Sequence, residues 1–557
     1  MQRPIFKNKP VADEKKLRGG YYTPVELAEY LTAWAIRTGA ESILEPSCGD
    51  GNFLVAALSR LNQLYGAEPK QSPHLVAVEV LESEIERAQS RCSAQVFPGL
   101  TTEWICDDFF ASYGDQLKHS SFDVIIGNPP FIRFQYFDPE VRDIAFNHLR
   151  DASYRPTKLA NAWAAFVQLS VELLKPGGRL AMVVPAELLQ VGYASELRDR
   201  LSRGFEDIGL IGFRQLVFPQ IQQEVVLLLA EGKTERPNNS ARIHTVEYIN
   251  GQDLPSKHDF LDAVQHAPEK YTRSGMKWTS LFLDDREFDA LSAAQSHNGL
   301  VSLGDLARVE VGVVTGRNSF FVLDQESVKS AKAARFVTKV VGRTNALRSI
   351  EFSADDFGQY AARSPAYLLD LSRVTDKKFT KGLQEYIQAG EDAGVNTGYK
   401  CRIRKRWYDV PSIYVPDGFM FRQIHQFPLL VSNEAGATST DTIHRVRIKG
   451  DTDIKQLAFR AFNSLTFAWS EVCGRSYGGG VLELEPREAQ ELPIPDVEID
   501  QQDVRKLDNM LRNARITEAL DFADEVLLRR GLGFGVADVK LLRSSWETLR
   551  DRRIGRR

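Results

Sequence analysis

The chain has 557 residues, so an allowance of roughly 150 residues per domain predicts two to four domains. Apolar residues make up 43% and charged residues 26%, which excludes a chain that is disordered throughout. The formal net charge is −4, whereas small nucleic-acid-binding proteins are often strongly basic. Any contact with nucleic acid therefore has to be local.

Cysteine usage indicates a reducing compartment, and the N-terminal residues give no sign of secretion. The 5 cysteines form no CxxC pair and have no histidine at metal-ligand spacing, so we predict neither a disulfide framework nor a metal site. No stretch approaches the roughly 20 apolar residues of a membrane span, and residues 1–10 lack an apolar signal core. We expect a cytoplasmic protein with no membrane association.

Residues 42–230 alternate between short apolar runs and amphipathic segments, a pattern typical of a mostly parallel sheet with helices on both faces. The predicted strands are residues 43–44, 75–80, 104–106, 122–126, 180–184, 208–211 and 225–229. The polar, proline-containing residues 233–242 end this pattern and predict a linker.

Small residues occupy the turn after the first predicted strand. The sequence Glu45-Pro-Ser-Cys-Gly-Asp-Gly51 leads into a helical run that begins at Phe53. Glycines let a ligand approach the backbone, and the N-terminus of a helix favours polar groups. Taken alone, the glycine pair is equally compatible with a strand-to-helix turn that binds nothing.

Acidic side chains follow the next two predicted strands. Glu79 ends the second strand, where a Rossmann-like arrangement binds the ribose hydroxyls with a carboxylate. Asp108 and Phe109 follow the third strand, and this pair suits an adenine ring held by its amino group and its face. A surface glutamate and a helix cap beside a core phenylalanine would explain the same residues taken singly.

The fourth motif joins a buried strand to a stiff loop, Asn128-Pro129-Pro130-Phe131. Prolines fix φ and have no N–H, so the Asn128 side-chain oxygen and the Pro129 carbonyl are rigid hydrogen-bond acceptors. Two acceptors aimed at the protons of an aniline-like amino group favour the tetrahedral nitrogen and make it more nucleophilic. Phe131 offers a face on which an extruded base can stack. An Asn-Pro turn without a function remains compatible with the tetrapeptide alone.

In chain order, these motifs resemble those of the γ-class, Taq-type N6-adenine DNA methyltransferases of restriction-modification systems. The resemblance covers residues 20 to about 230. It includes Gly20-Tyr-Tyr-Thr-Pro24, which is similar to the family's N-terminal cofactor-contacting motif, and Val217-Phe-Pro-Gln220, which is similar to the segment that packs against the flipped base. One departure is Phe131, because many members carry a tyrosine there.

The resemblance implies a Rossmann-like, seven-stranded α/β domain that binds S-adenosyl-L-methionine and methylates N6 of an adenine rotated out of double-stranded DNA. The implied catalytic residues are Asn128, Pro129, Pro130, Phe131 and Phe218. The implied cofactor-binding residues are Tyr22, Thr23, Glu45, Ser47, Cys48, Gly49, Gly51, Phe53, Glu79, Asp108, Phe109 and Asn128.

The second half of the chain has a different texture. Strand-like runs separated by long irregular stretches predict an α+β domain, which the resemblance identifies with DNA target recognition, and a largely helical segment follows it. We therefore expect an N-terminal extension at residues 1–19, a catalytic domain at 20–235, a target-recognition domain at 243–495 and a C-terminal helical segment at 500–557.

A basic run in this half predicts a contact with the DNA backbone. If the run is extended, four cations project from one face about 6.7 Å apart, comparable to successive phosphates. These cations are Lys400, Arg402, Arg404 and Arg406. A solvated, charged edge strand is the alternative. We expect Trp407, and Tyr477 in the glycine-rich residues 475–482, to lie at the same interface.

Other functions share parts of this pattern. Methyltransferases of protein glutamine or RNA adenine also use an Asn-Pro-Pro loop, and N4-cytosine methyltransferases usually carry Ser or Asp at the position of Asn128. A non-catalytic DNA-binding specificity protein is a further alternative. A fused nuclease is not expected, because only about twenty residues precede the first motif. A restriction endonuclease, if there is one, would be separately encoded.

Overall fold

The computed structural model describes residues 22–65, 72–96, 99–155, 157–158, 160–218, 223–254, 269–272, 275–477 and 479–555. The chain divides into two compact units, of which the first runs to Phe282 and the second spans Leu283–Ile554. The predicted extension of residues 1–19 lies outside the described residues, as do Gly20, Pro219 and Gln220.

One sheet organises the first unit. Its strands are β1 Ser42–Glu45, β2 His74–Glu79, β3 Thr101–Cys106, β4 Phe122–Gly127, β5 Leu174–Pro185, β6 Phe205–Phe213, β7 Val225–Lys233 and β8 Arg242–Tyr248. Their order is β3-β2-β1-β4-β5-β7-β6-β8. The first five are parallel, β7 is antiparallel to β5 and β6, and β8 is parallel to β6.

Helices accompany this sheet because the central strands are apolar on both faces. The helices of the first unit are α1 Val25–Ala35, α2 Asn52–Tyr65, α3 Glu82–Cys92, α4 Phe109–Ser112, α5 Pro139–Asp151, α6 Trp163–Leu173, α7 Glu187–Gln190 and α8 Ser195–Gly204. In β1, Ile43 and Leu44 are both fully buried although their side chains point to opposite faces. The predicted α/β class and all seven predicted strands are confirmed.

The sheet has one strand more than the seven predicted, and the first unit runs beyond residue 235, where the catalytic domain was expected to end. An eighth strand, β8, pairs with β6 over the whole of its length, from Arg242 to Tyr248. The predicted linker connects β7 to β8 and is bound to the first unit, because Thr234 N donates to Gly204 O at 2.9 Å and Asn238 Nδ2 donates to Phe205 O at 2.8 Å. The first unit therefore extends past residue 235.

The second unit mixes short strands and helices, as predicted for an α+β region. Its strands are β9 Leu300–Ser302, β10 Ala307–Glu310, β11 Val322–Leu323, β12 Val337–Val341, β13 Glu351–Phe352, β14 Tyr367–Leu369, β15 Gly418–Phe421, β16 Gln423–Ile424, β17 Leu430–Asn433, β18 Thr438–Ser439, β19 Ile443–Ile448, β20 Arg475–Tyr477, β21 Val481–Glu483 and β22 Pro493–Pro495. They form sheets of five, four, three and two strands, the largest in the order β10-β19-β15-β17-β13.

The helices of the second unit are α9 Asp285–Gln295, α10 Leu303–Leu306, α11 Asn318–Phe321, α12 Gln325–Ser330, α13 Ala354–Ala361, α14 Lys381–Asp392, α15 Tyr399–Arg402, α16 Ile454–Arg460, α17 Ser464–Cys473, α18 Pro486–Gln490, α19 Gln501–Arg512, α20 Ile516–Asp524 and α21 Val536–Ile554. Helices α19, α20 and α21, which fall in the predicted segment at 500–557, pack on the core of the second unit. Helix α21 shares one core with α17, where the Trp546 and Phe467 rings lie 5.2 Å apart and Arg553 forms a buried ion pair with Glu471 at 2.6 Å.

Two features are absent from the described residues, a membrane-spanning helix and a metal-binding cluster. In this part of the chain, no helix combines the length and the apolar character needed to cross a membrane. Nor does any group of three or more His, Cys, Asp and Glu side chains there have the arrangement of a metal site.

Candidate active site at the carboxyl edge of the sheet

The predicted motifs meet at one edge of the first-unit sheet. Strands β1, β2, β3 and β4 are parallel neighbours, so their carboxyl ends lie side by side. The chain leaves β1 first toward β2 and β3 and later returns to form β4 on the other side of β1. Such a reversal of strand order opens a crevice between the loops at the carboxyl ends, which is where open α/β sheets bind ligands.

The loop after β1 is a compact, glycine-dependent turn. Gly49 and Gly51 have φ of +52° and +89°, a region that favours glycine. A side chain at Gly51 would also collide with helix α3, because its Cβ would lie 2.9 Å from that of Ala88. Cys48 and Phe53 are buried in the hydrophobic core, so the Cys48 thiol and the Phe53 ring face protein. What this loop presents to a ligand is mainly backbone.

Glu79 braces this loop from the end of β2. Its carboxylate accepts hydrogen bonds from the Gly49 backbone N–H at 3.0 Å and the Leu81 backbone N–H at 3.1 Å. Burial raises the pKa of Glu79, although these two donors act in the opposite direction. Each carboxylate oxygen keeps a second lone pair, so Glu79 can also accept hydrogen bonds from vicinal hydroxyls.

Glu45, the last residue of β1, is a buried carboxyl group that lacks one partner. The side chain is 1% exposed, and its Oε2 atom has no hydrogen-bond partner among the described residues. Burial first, and then the charges of Glu79 and Asp50, raise its pKa well above the ordinary range. An unpaired buried carboxyl oxygen is costly unless a ligand supplies a donor, so Glu45 fits a site for an ammonium group.

Asp108 and Phe109 are brought to the same edge, but neither is freely accessible. Asp108 caps the short helix α4, and its Oδ1 accepts from Phe110 N at 2.8 Å. Burial raises the pKa of Asp108, and its second oxygen can accept from a ligand amino group. Phe109 is only 2% exposed and stacks on Phe166 with ring centroids 4.8 Å apart. The structure thus commits one face of Phe109 to the protein core.

The Asn-Pro-Pro-Phe loop follows β4 directly. Gly127 ends that strand with φ of +153°, a conformation that other residues rarely adopt, and it lies against Glu45 and Pro46. The Ser47 hydroxyl donates to the Asn128 backbone carbonyl at 3.3 Å and so joins this loop to the loop after β1. Pro129 is buried.

Phe131 and Phe218 lie against the same hydrophobic cluster of the first unit. Phe218 is buried within this cluster, while Phe131 is half-buried and packs on it. The Phe131 ring is thus partly exposed at the loop, whereas the Phe218 ring is enclosed by the core.

Two predicted N-terminal residues are tied to the first residue of helix α2 and to helix α3. Thr23 is buried, and its carbonyl accepts from Asn52 Nδ2 at 2.8 Å. Tyr22 is exposed and donates its hydroxyl to Glu84 at 3.2 Å. Arg91 completes the arrangement, since it forms an ion pair with Asp50 at 2.7 Å. Arg91 belongs to none of the predicted motifs, and only the fold shows that it binds Asp50 of the loop after β1.

The predicted strand of alternating cations does not exist. Residues 399–402 form helix α15, and a series of turns follows. Arg404 donates to the Val314 and Thr315 carbonyls at 3.1 and 2.8 Å, so its guanidinium binds the protein itself. Arg406 is paired with Asp376 and Asp409 at 2.7 and 2.8 Å. The four cations therefore cannot line one face as a row of phosphate contacts.

The two aromatic residues predicted beside this run differ in accessibility. Trp407 packs against Phe320, with ring centroids 5.2 Å apart, and its indole N–H donates to Glu391 at 2.9 Å. Trp407 therefore packs within the second unit, where its ring and its indole N–H both have protein partners. Tyr477 ends strand β20 and is 39% exposed.

Two family models cover most of the chain. Residues 7–263 match "N-6 DNA Methylase", and residues 275–528 match "Type II methyltransferase M.Eco57I, C-terminal domain". The junction between the matched ranges lies close to the boundary between the two structural units at Phe282.

Two curated relatives align with most of the chain. The chain is 21% identical over 502 residues to type II methyltransferase M.AccI of Acinetobacter calcoaceticus, which covers 86% of this chain and 85% of that protein. It is 23% identical over 506 residues to type II methyltransferase M.XamI of Xanthomonas campestris pv. amaranthicola, with coverages of 88% and 87%. Among solved structures, it is similar to the type IIL restriction-modification enzyme MmeI, solved in complex with DNA, with a TM-score of 0.54 and 12% identity over 95% of this chain and 75% of that one. At this identity the last similarity establishes the fold alone.

Proposed function

We propose that this DNA methyltransferase acts on the N6 amino group of adenine. The premise is that residues 7–263 belong to the N-6 DNA Methylase family and residues 275–528 to the M.Eco57I C-terminal family. These matches confirm the expected family, the γ-class DNA methyltransferases of restriction-modification systems. They also confirm its cofactor, S-adenosylmethionine. The observation that carries the adenine assignment is the Asn128 loop, which lies beside the loop after β1 and is joined to it by the Ser47 hydrogen bond.

The residues at the carboxyl edge fit S-adenosylmethionine. We assign Glu79 to the ribose hydroxyls, because its carboxylate is held in place by two backbone N–H groups and has lone pairs left. We assign Glu45 to the α-ammonium group, because Oε2 is buried and lacks a donor. Asp108 would accept from the adenine amino group. The bound cofactor supplies an electrophilic methyl group on a sulfonium.

The chain has to make a weak nucleophile reactive. The lone pair of an exocyclic amino group is delocalised into the base, so acceptors that bind its protons favour the tetrahedral nitrogen that can attack a methyl group. Asn128 Oδ1 and the Pro129 carbonyl supply these acceptors. The loop is stiff because Pro129 and Pro130 fix φ and Gly127 fixes the exit from β4.

The target base must leave the duplex before it can enter this crevice. We assign Phe131 to one face of the extruded base, because the ring is half-buried at the loop and keeps some surface exposed. Phe218 is a positioning residue on the same hydrophobic cluster. In this proposal the second unit binds DNA and selects the site.

The substrate class is tested by offering methyl-labelled S-adenosylmethionine with duplex DNA, structured RNA or a protein extract. We expect label in the DNA alone. An Asn128→Ala variant gives the background, and Asn147→Ala is the matched control because Asn147 is exposed on α5, where it accepts from Arg150. Label that appears in RNA or protein and not in DNA would overturn the proposal.

A further inference from the structure

Helix α15 presents two large apolar side chains to water. Tyr399 is 65% exposed and Ile403 is 61% exposed. They are four residues apart, and Ile403 keeps a helical backbone conformation as the residue that ends the helix, so both side chains lie on the same side of the turn. Adjacent exposed apolar side chains within a charged segment are typical of a contact surface.

Uncompensated positive charge surrounds this pair. The ten residues that begin with helix α15 contain five basic residues and no acidic one. Arg404 and Arg406 are bound within the protein, as described above. Lys400, Arg402 and Lys405 are exposed, and none of them forms an ion pair with a residue that the structure describes.

The loop of residues 311–317 holds this region in a fixed position. Arg404 donates to the Val314 and Thr315 carbonyls of that loop. Gly316 has φ of +86° and packs so closely on the helix that a Cβ there would lie 2.9 Å from that of Lys400. Arg404 and Gly316 thus orient the exposed side chains in advance of binding, which reduces the entropy lost on binding.

We propose that the α15 tip, defined as Tyr399, Lys400, Arg402, Ile403 and Lys405, docks on duplex DNA. The three cations bind backbone phosphates, and the two apolar side chains enter a groove against base edges or a base step. A chain with a net charge of −4 is repelled by DNA as a whole, so attraction has to come from a patch of this kind. The proposal rests on DNA being the substrate, and it assigns Arg404 a positioning role instead of a phosphate contact.

The charges are tested by the salt dependence of binding to a fluorescein-labelled 30-base-pair duplex of random sequence. Each phosphate contact contributes about 0.9 to the slope of log K against log salt, so changing Lys400, Arg402 and Lys405 together to Gln should make the slope shallower by about 2–3. The matched control changes three exposed cations elsewhere in the second unit, Lys329→Gln, Arg363→Gln and Lys540→Gln, and should keep the wild-type slope.

The apolar pair is tested separately. Tyr399→Ala with Ile403→Ala should weaken duplex binding by about 10-fold or more without changing the salt slope, since stacking and wedge contacts are independent of salt to first order. Val536→Ala, at an exposed valine of α21, is the control. Binding of S-adenosylmethionine and the thermal midpoint should not change in any of these variants.

The outcomes separate this site from the function it depends on. If the wild-type protein neither binds duplex DNA nor methylates it, the proposed function fails and the site with it. If the wild-type protein methylates DNA but the triple variant keeps the full salt slope and the double variant keeps full affinity, the α15 tip is refuted while the function stands.

Discussion

Replacing Glu79 tests whether the loop after β1 is a cofactor site. In Glu79→Gln the amide oxygen can still accept from one of the two backbone N–H groups, at Gly49 or Leu81, but the amide nitrogen faces the other. The variant also loses the negative charge that would accept from a ribose hydroxyl. A hydrogen bond to a charged group contributes about 1.5–3 kcal/mol, which corresponds to roughly 10- to 150-fold in affinity.

The assay is calorimetric titration with S-adenosylmethionine, with thermal unfolding of the cofactor-free protein measured in parallel. Burial already raises the pKa of Glu79, so loss of the charge does not itself lower stability. One backbone N–H is left facing an amide nitrogen, however, so we expect the cofactor-free midpoint to fall by a few degrees. Glu86→Gln, an exposed glutamate of α3, is the matched control. Wild-type cofactor affinity in Glu79→Gln would refute the assignment of Glu79 to the cofactor.

Three further predictions concern the other side chains of the crevice. Asn128→Ala should lower kcat by about 10²- to 10³-fold, the cost of losing one aimed acceptor or donor, while the cofactor Kd measured by calorimetry stays close to that of the wild type. Glu45 has a raised pKa, so cofactor binding should release a proton and should tighten as pH rises toward that raised pKa, with no further gain above it. Phe131→Ala should slow methylation by about 10- to 100-fold, from the loss of a stacking contact of roughly 1–3 kcal/mol, and a mismatch opposite the target base should partly restore the rate.

Each of these predictions has an outcome that contradicts it. A large loss of cofactor affinity in Asn128→Ala would mean that this residue belongs to the cofactor pocket. For Glu45, the cofactor-free protein should lose stability as pH rises from about 4.3, the ordinary pKa of Glu, to the raised pKa, because the folded state favours the protonated carboxyl. Glu45→Gln should abolish both this loss of stability and the proton release on cofactor binding. If either one persists in the variant, Glu45 is not its source. If Phe131→Ala is as inactive as Asn128→Ala, or is not rescued by a mismatch, Phe131 holds the loop in shape instead of stacking on a base.

Sequence patterns located the crevice because its parts are local. A buried strand followed directly by a proline-fixed loop places Asn128 at the carboxyl end of β4 wherever that strand lies in the sheet. The burial of Glu45 and the hydrogen bond between Ser47 and Asn128 could not be foreseen, because they depend on which strands become neighbours.

The errors have physical causes as well. Strand β8 is mostly polar and follows a proline-containing segment, so it resembled the start of a new domain, although its backbone pairs with β6. Cations at every second position imitate the two-residue period of a strand, and this misled the interpretation of the basic run. Its true conformation is set by distant partners of Arg404 and Arg406, such as the Thr315 carbonyl and Asp376, which no local pattern reveals.

The central claim is that the Asn128 loop directs a methyl group to N6 of adenine. The most direct measurement is to methylate duplex DNA with methyl-labelled S-adenosylmethionine, digest it to nucleosides and identify the labelled one by chromatography and mass spectrometry. The account predicts N6-methyldeoxyadenosine, which should be lost in Asn128→Ala and kept in Asn147→Ala. Label in N4-methyldeoxycytidine, or label that persists in Asn128→Ala, would contradict it.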